Sequence, residues 1–227
     1  IGPTADHVDY LIDLLKPSVA IDLTDPTPST DSSRFGGRPL VPAGFDWPEH
    51  DVGEYRFLGQ FNFAEIRRRP ETLPDAGLLS VFFAEDEDGE VFWGDDGYVL
   101  AYYWADTAGF ELFESSPEPS ATRRIELTGS IDLPRHSYLR DDWPFDEDAL
   151  FELMEAIQPA GEYLLGYPSF TSLAYDPTPG PEWTSLLTVR SLDEFGWNWH
   201  DGDKLMVFIE SDKLASRDFS RLKSDAG

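Results

Sequence analysis

The chain contains no cysteine. Disulfides, thiolate metal sites and a cysteine nucleophile are therefore excluded, and the composition fits a cytoplasmic protein. Cations are scarce as well. Lysine and arginine number 17 against 44 acidic residues, a net charge of −27. Over a folded surface of roughly 10,000 Å² this is about one net negative charge per 400 Å². Such a field repels phosphate backbones and anionic lipids, so neither nucleic acid nor membrane is expected as a partner. The basic clusters are two short ones, Arg67-Arg68-Arg69 and Arg123-Arg124. No apolar run reaches the roughly 18 residues of a bilayer span, and no signal peptide is legible. The P-loop, the dinucleotide glycine fingerprint, HExxH and GxSxG are all missing. His7, His50, His136 and His200 show no ligand spacing. No metal and no cofactor are expected, no catalytic residues are assigned, and an enzyme is the less favoured class.

What is present suffices for one sizeable core. Of 227 residues, 41% are apolar and 14% aromatic, enough to read residues 1–227 as a single domain. The acidity has two readings. One is solubility or adaptation to a salty or GC-rich host. The other is an acidic face for a basic partner.

Residues 4–16 read as a helix with Val8, Leu11, Ile12 and Leu15 on one face, capped by Thr4 or Asp6 and stopped by Pro17. Val19–Leu23 is a short strand. Ser33–Pro48 is dense in Gly, Pro and aromatics and reads as an ordered, extended loop packing Phe35, Leu40, Val41, Phe45 and Trp47 on a sheet. Strands are expected at Tyr55–Phe63, Leu78–Ala84, Val91–Trp93, Tyr98–Trp104, Phe110–Glu114 and Arg123–Leu127. Asn62 caps a short helix, and Asp146 caps one over 147–158 whose buried stripe is Leu150, Phe151, Leu153, Met154 and Ile157. Gly161–Phe170 is turn-rich.

The stretch Trp183–Arg221 reads as strand, Trp-rich loop, strand and short helix. Phe57–Ala84 echoes it. Leu58-Gly-Gln-Phe-Asn-Phe63 lies under Leu186-Leu-Thr-Val-Arg-Ser191, and Asp75–Phe83 under Asp201–Ile209. This points to an internal duplication, about 55–84 and 184–210, and to largely antiparallel or mixed sheets with few helices.

Three clusters invite chemistry. Asp86-Glu87-Asp88-Gly89 resembles part of a calcium loop, but Ala84 stands where the first ligand belongs and the flanks read as strands, so a hairpin turn is preferred. Asp141-Asp142 and Asp146-Glu147-Asp148 are paired carboxylates, more simply explained as negative charge at a helix N-terminus. Trp197, Trp199 and His200 beside Asp201 combine stacking rings with an acceptor, though core or interface packing is the preferred reading.

SRFGGRPLVPAGFDWP (33–48), FLGQFNFAEI (57–66), LPDAGLLSVFF (73–83), LLGYPSF (164–170) and DEFGWNWHDGDKLMVFIESDKLASRDFSR (193–221) together resemble the YwqG-like family, a bacterial domain family of unknown function. The resemblance implies a single α+β domain built from two similar, intertwined β-rich motifs with a few peripheral helices. Recurrent family positions appear as Gly36, Gly37, Pro39, Gly59, Gln60, Gly77, Gly166, Trp199, Asp201 and Phe219. Asp203 stands where the family has glycine, which puts a left-handed turn at that position in doubt. Some members are associated with toxin immunity. The resemblance thus implies a binding protein that neutralises a toxin, here a protein partner with a basic surface. The alternative is a small-molecule site, binding or enzymatic, between the Gly36-Gly37 loop and the Trp199–Asp201 loop, with Arg34, Gly36, Gly37, Gln60, Trp199 and Asp201 as its contacts.

Overall fold

Leu205, Val207 and Ile209 alternate with Met206 and Phe208, and all five are buried. The first three join the main core and the other two a smaller cluster on the opposite face. A strand buried on both faces reads as a near-continuous apolar run, and this one is read correctly from sequence. The structure, a computed structural model, describes residues 7–24, 29–51, 53–85, 90–114, 121–136, 139, 142, 144 and 146–227. The Thr4 or Asp6 cap, the Asp86–Gly89 turn, the Ser115–Ser120 loop expected between the strands at 110–114 and 123–127, Asp141 and the Glu147 side chain lie outside the described residues.

The strands are β1 (Lys16–Thr24), β2 (Arg34–Gly36), β3 (Leu40–Val41), β4 (Glu54–Asn62), β5 (Leu78–Glu85), β6 (Val99–Trp104), β7 (Glu111–Leu112), β8 (Thr122–Asp132), β9 (Glu162–Leu165), β10 (Trp183–Arg190), β11 (Lys204–Glu210) and β12 (Leu222–Ala226). Ten form one sheet in the order β12-β11-β10-β9-β1-β8-β2-β4-β5-β6, and β3 pairs with β7. Among the described residues every ladder is antiparallel, and the isolated bridge Arg67–Thr128 is parallel. The edge strands β12 and β6 touch, so the sheet is a near-barrel. Beside this seam Ser224 Oγ donates to the Trp93 carbonyl at 2.6 Å.

The expected α+β class is therefore corrected: the fold is mostly β. Its helices are short: α1 (Val8–Asp13), α2 (Glu147–Ile157) and α3 (Ser211–Ala215). The helix expected over 4–16 ends at Asp13 and β1 begins at Lys16, because Val19 and Ile21 turn inward on the long β1–β8 ladder. β9 lies inside the stretch read as turn-rich. β12, LKSDA, carries too little apolar signal to be read at all. Val91–Trp93, expected as a strand, is not one.

One arrangement occurs twice. In β4–β5 the register shifts at Leu58, and in β10–β11 at Leu186. Asn62 then pairs with Leu78 as Arg190 pairs with Lys204. β2 lies on β4 through Arg34–Gln60, and β9 on β10 through Tyr163–Thr188. Next come two left-handed residues in each half: Gly36 and Gly37 at φ 63 and 73, Leu165 and Gly166 at φ 61 and 73. Then the buried side chain two residues before that pair reaches forward to a carbonyl. Arg34 donates to Arg38, and the Tyr163 hydroxyl to Tyr167 at 2.7 Å.

Candidate functional site

Arg34 and Gln60 are both buried, and the fold uses their polar atoms. The Arg34 guanidinium donates to the carbonyls of Thr30 at 2.7 Å, of Ser29 and Ser32 at 3.4 and 3.5 Å, and of Arg38. Burial lowers its pKa from 12.5 to about 10, with Asp31 partly opposing. Gln60 accepts from Leu40 N at 3.1 Å and donates to Ser32 and Thr30. Both side chains thus clamp the 29–40 loop onto the sheet. Gly37 leaves room for Thr122, whose side chain occupies the space a Cβ would take.

Trp199 is buried, and its indole N–H donates to Tyr98 Oη at 3.0 Å. Asp201 is exposed on a left-handed turn made by His200, Asp201 and Gly202. The left-handed residues thus precede Asp203 instead of including it. Between the two loops lies aromatic core: Trp197 meets Phe35 at 5.3 Å and Trp199 at 5.4 Å. The structure brings Arg34, Gln60 and the glycine pair together and sets Trp199 and Asp201 apart from them.

Near that turn, Ser172 Oγ lies 2.9 Å from His200 Nδ1, the spacing of a nucleophile and a base. Asp203, however, faces Thr171 and Ser172, accepting from Thr171 Oγ1 at 2.6 Å. A triad would need that carboxylate on the imidazole. The contacts instead lock residues 171–172 to the 200–203 turn.

A different place carries a site. A cavity of about 530 Å³ opens on the outer side of β1 and β8. Its floor holds Tyr163, Asp132 and Arg135. The Arg135 guanidinium grips Asp132 Oδ1 at 3.1 Å, donates to the Ala160 carbonyl at 3.0 Å and lies over the Tyr163 ring. Asp132 Oδ2 accepts from Tyr167 N at 2.9 Å. Burial pushes the Tyr163 phenol up to about 12, so it stays a neutral donor. These polar groups are satisfied within the fold.

The mouth is apolar. Leu15, Ile131 and Ile157 line it, and all three are exposed. Val8 and Ile12 extend the Leu15 stripe along α1 at helical spacing, and both are more than half exposed. The stripe expected to be buried in the 147–158 helix is corrected in part, since Leu150 is buried but Phe151 and Ile157 face solvent. In α1 no residue is buried. Periodicity shows that a helix has an apolar face but not what covers it.

The two helices beside this mouth carry carboxylates. Neither α1 nor α2 contains a lysine or arginine. Asp9 and Asp13 lie one turn apart, as do Asp148 and Glu152, an arrangement that repels. Asp22 adds a further carboxylate on the wall. The missing cations in both helices are legible in sequence. The Asp132–Arg135–Tyr163 floor is not, because β1, β8 and β9 assemble it.

His136 borders this region. Its ring stacks on Phe170 at 4.0 Å, and Nε2 accepts from Phe170 N at 3.2 Å. Burial, then Lys204 and Arg135, lower its pKa from 6.5 to about 4, against Asp203. Between those values the unfolded chain binds the proton more tightly. Stability from this group is complete above pH 6.5 and lost as pH falls toward 4. We expect about 2 kcal/mol of such loss after allowing for partial exposure. Urea melts across this range, wild type against His136→Asn, check it. Equal pH slopes would refute the assignment.

A family model described as a domain of unknown function (DUF1963) matches residues 33–224. No curated protein matches the chain. α1 and β1, which supply part of the cavity mouth, precede the matched span.

Proposed function

Because the chain belongs to a domain family of unknown function, DUF1963, no inherited activity fixes its role, and we propose that it is a cytoplasmic acidic binding protein for a basic protein partner. The toxin-neutralising role implied by the YwqG-like resemblance is the specific form of this reading. We also infer that the two halves of the sheet are a duplication within one domain.

The observation that carries the proposal is the apolar mouth at Leu15, Ile131 and Ile157, flanked by two helices that bear carboxylates and no cation. Uncovered, the arrangement costs repulsion within each helix and exposes apolar area. A partner presenting apolar side chains among lysines and arginines would relieve both. Acidic steering would speed its arrival, and its apolar residues would supply the buried centre that a tight interface needs. The occupant is thus a basic amphipathic protein segment.

The test is affinity capture with wild-type protein and with Ile12→Asp and Ile131→Asp, both at exposed positions. Wild type should retain a basic protein at low salt, release it as salt rises, and lose it at least tenfold in each variant. Recovery of no partner at low or moderate salt, or equal recovery by the variants, would overturn the proposal.

A further inference from the structure

Lys16 and Arg217 stand on the rim of a second cavity, in a chain whose carboxylates outnumber its cations 44 to 17. The cavity measures about 460 Å³, within the range of small-molecule sites. Its floor is buried and apolar, formed by Leu73, Pro74, Leu165 and Leu214. Thr72, Thr184 and Ser211 add hydroxyls near the mouth. An apolar floor beneath a few polar groups is the usual composition of a ligand pocket.

Two of the six described non-glycine residues with positive φ line this cavity. Leu165 and Arg217 both hold left-handed conformations, at φ 61 and 60, without being glycine. Leu165 pairs with Ser18 of β1 as Gly36 pairs with Thr122 of β8, so the other half of the sheet places glycine at this position. The leucine side chain builds the floor. Arg217 closes α3 at a position where glycine is the usual residue, and its side chain supplies a rim cation. Strained backbone positions cluster at ligand sites, and this cavity holds two of them.

We propose that this cavity binds a small amphiphilic anion, with a carboxylate or phosphate head between Lys16 and Arg217 and an aliphatic body on the leucine floor. The present partner of Arg217 is Asp75 at 3.6 Å, and both side chains are largely exposed. Such a pair is weak enough for a ligand head to displace. Lys16, which lines the cavity, has its Nζ 4.1 Å from the centre of the Tyr167 ring. Glu71 also lies on the rim, which favours a singly charged head over a doubly charged one.

Calorimetric titration of the full chain with octanoate, octyl phosphate and 1-octanol tests this. Octanoate should bind saturably and at least tenfold tighter than octanol. Tighter binding of octyl phosphate than of octanoate would assign a phosphate head, and the reverse order a carboxylate. Arg217→Gly should weaken octanoate at least tenfold while raising Tm, because glycine relieves the backbone. A merely structural Arg217 would not separate those two readouts. Lys16→Ala should also weaken octanoate. Ile12→Asp and Ile131→Asp should leave it unchanged, which keeps this site distinct from the partner groove. Octanoate binding no tighter than octanol, or unaffected by both Arg217→Gly and Lys16→Ala, would overturn the proposal.

Discussion

Arg34→Met will destabilise the protein by about 3–5 kcal/mol, measured as a lower urea midpoint with the slope unchanged. Methionine roughly replaces the volume, so the loss is chiefly polar. The guanidinium is the shared donor for carbonyls of Ser29, Thr30, Ser32 and Arg38, in a place where little water reaches. The Ser29 carbonyl keeps Ser32 as a donor, and the Thr30 and Ser32 carbonyls keep Gln60. The loss is therefore of four charge-assisted bonds, worth about 1–3 kcal/mol each before relaxation, and not of four unpaired acceptors. Burying the charge is itself unfavourable, as its lowered pKa shows. Arg34 is therefore kept for what it ties down. Gln60→Leu should cost less, about 2 kcal/mol, because Leu40 N and two carbonyls depend on it. A ligand-contacting arginine would behave differently, its loss sparing stability and harming binding. A change below about 1 kcal/mol for Arg34→Met would show that the loop finds other donors.

The same residue shows what a sequence reveals and what it hides. Arg34 and Gln60 stand out in a motif, and the motif says that they matter. It does not say whether they face a ligand or their own loop. β4, β5, β10 and β11 are legible because their apolar runs are buried on both faces. The α2 start is legible because Asp146 Oδ1 accepts from Ala149 N at 2.8 Å, a local contact. β12 is not, since Lys223 and Asp225 interrupt its three buried positions. The groove is only half legible. Its apolar stripes and missing cations are local facts, but their meeting at one mouth depends on the β1–β8 and β1–β9 ladders. The Leu165–Gly166 counterpart of Gly36–Gly37 is hidden for a further reason. A leucine in a left-handed conformation does not look like a glycine in sequence.

Gly129→Ala tests the least legible element of the fold, the crossing of the 66–74 segment over β8. In an open strand, replacing glycine by alanine gains about 0.5–1 kcal/mol. Here we expect the opposite sign and a loss of about 3–5 kcal/mol. A methyl at 129 would run into the Arg68 carbonyl oxygen and lie 2.7 Å from its carbonyl carbon. That backbone cannot simply withdraw. Arg67 N donates to the Leu127 carbonyl at 3.0 Å, and Gly129 N to the Arg67 carbonyl at 2.6 Å. Beyond them Arg68 is already left-handed at φ 54, and Arg69 is tied to the carbonyls of Pro70 and Leu73. The alanine must either distort β8 where it pairs with Val19 of β1 or break both crossing bonds. Gly94→Ala is the control, because nothing lies within 4 Å of its added methyl, and its effect should stay within about 0.5 kcal/mol. The crossing also brings Thr72, Leu73 and Pro74 to the lining of the anion cavity. Gly129→Ala should therefore lose octanoate affinity before it unfolds, while the partner groove, which has no residue from this segment, keeps its occupant. Equal stability of Gly129→Ala and wild type would show that the crossing is loose and that this part of the lining is not fixed by β8.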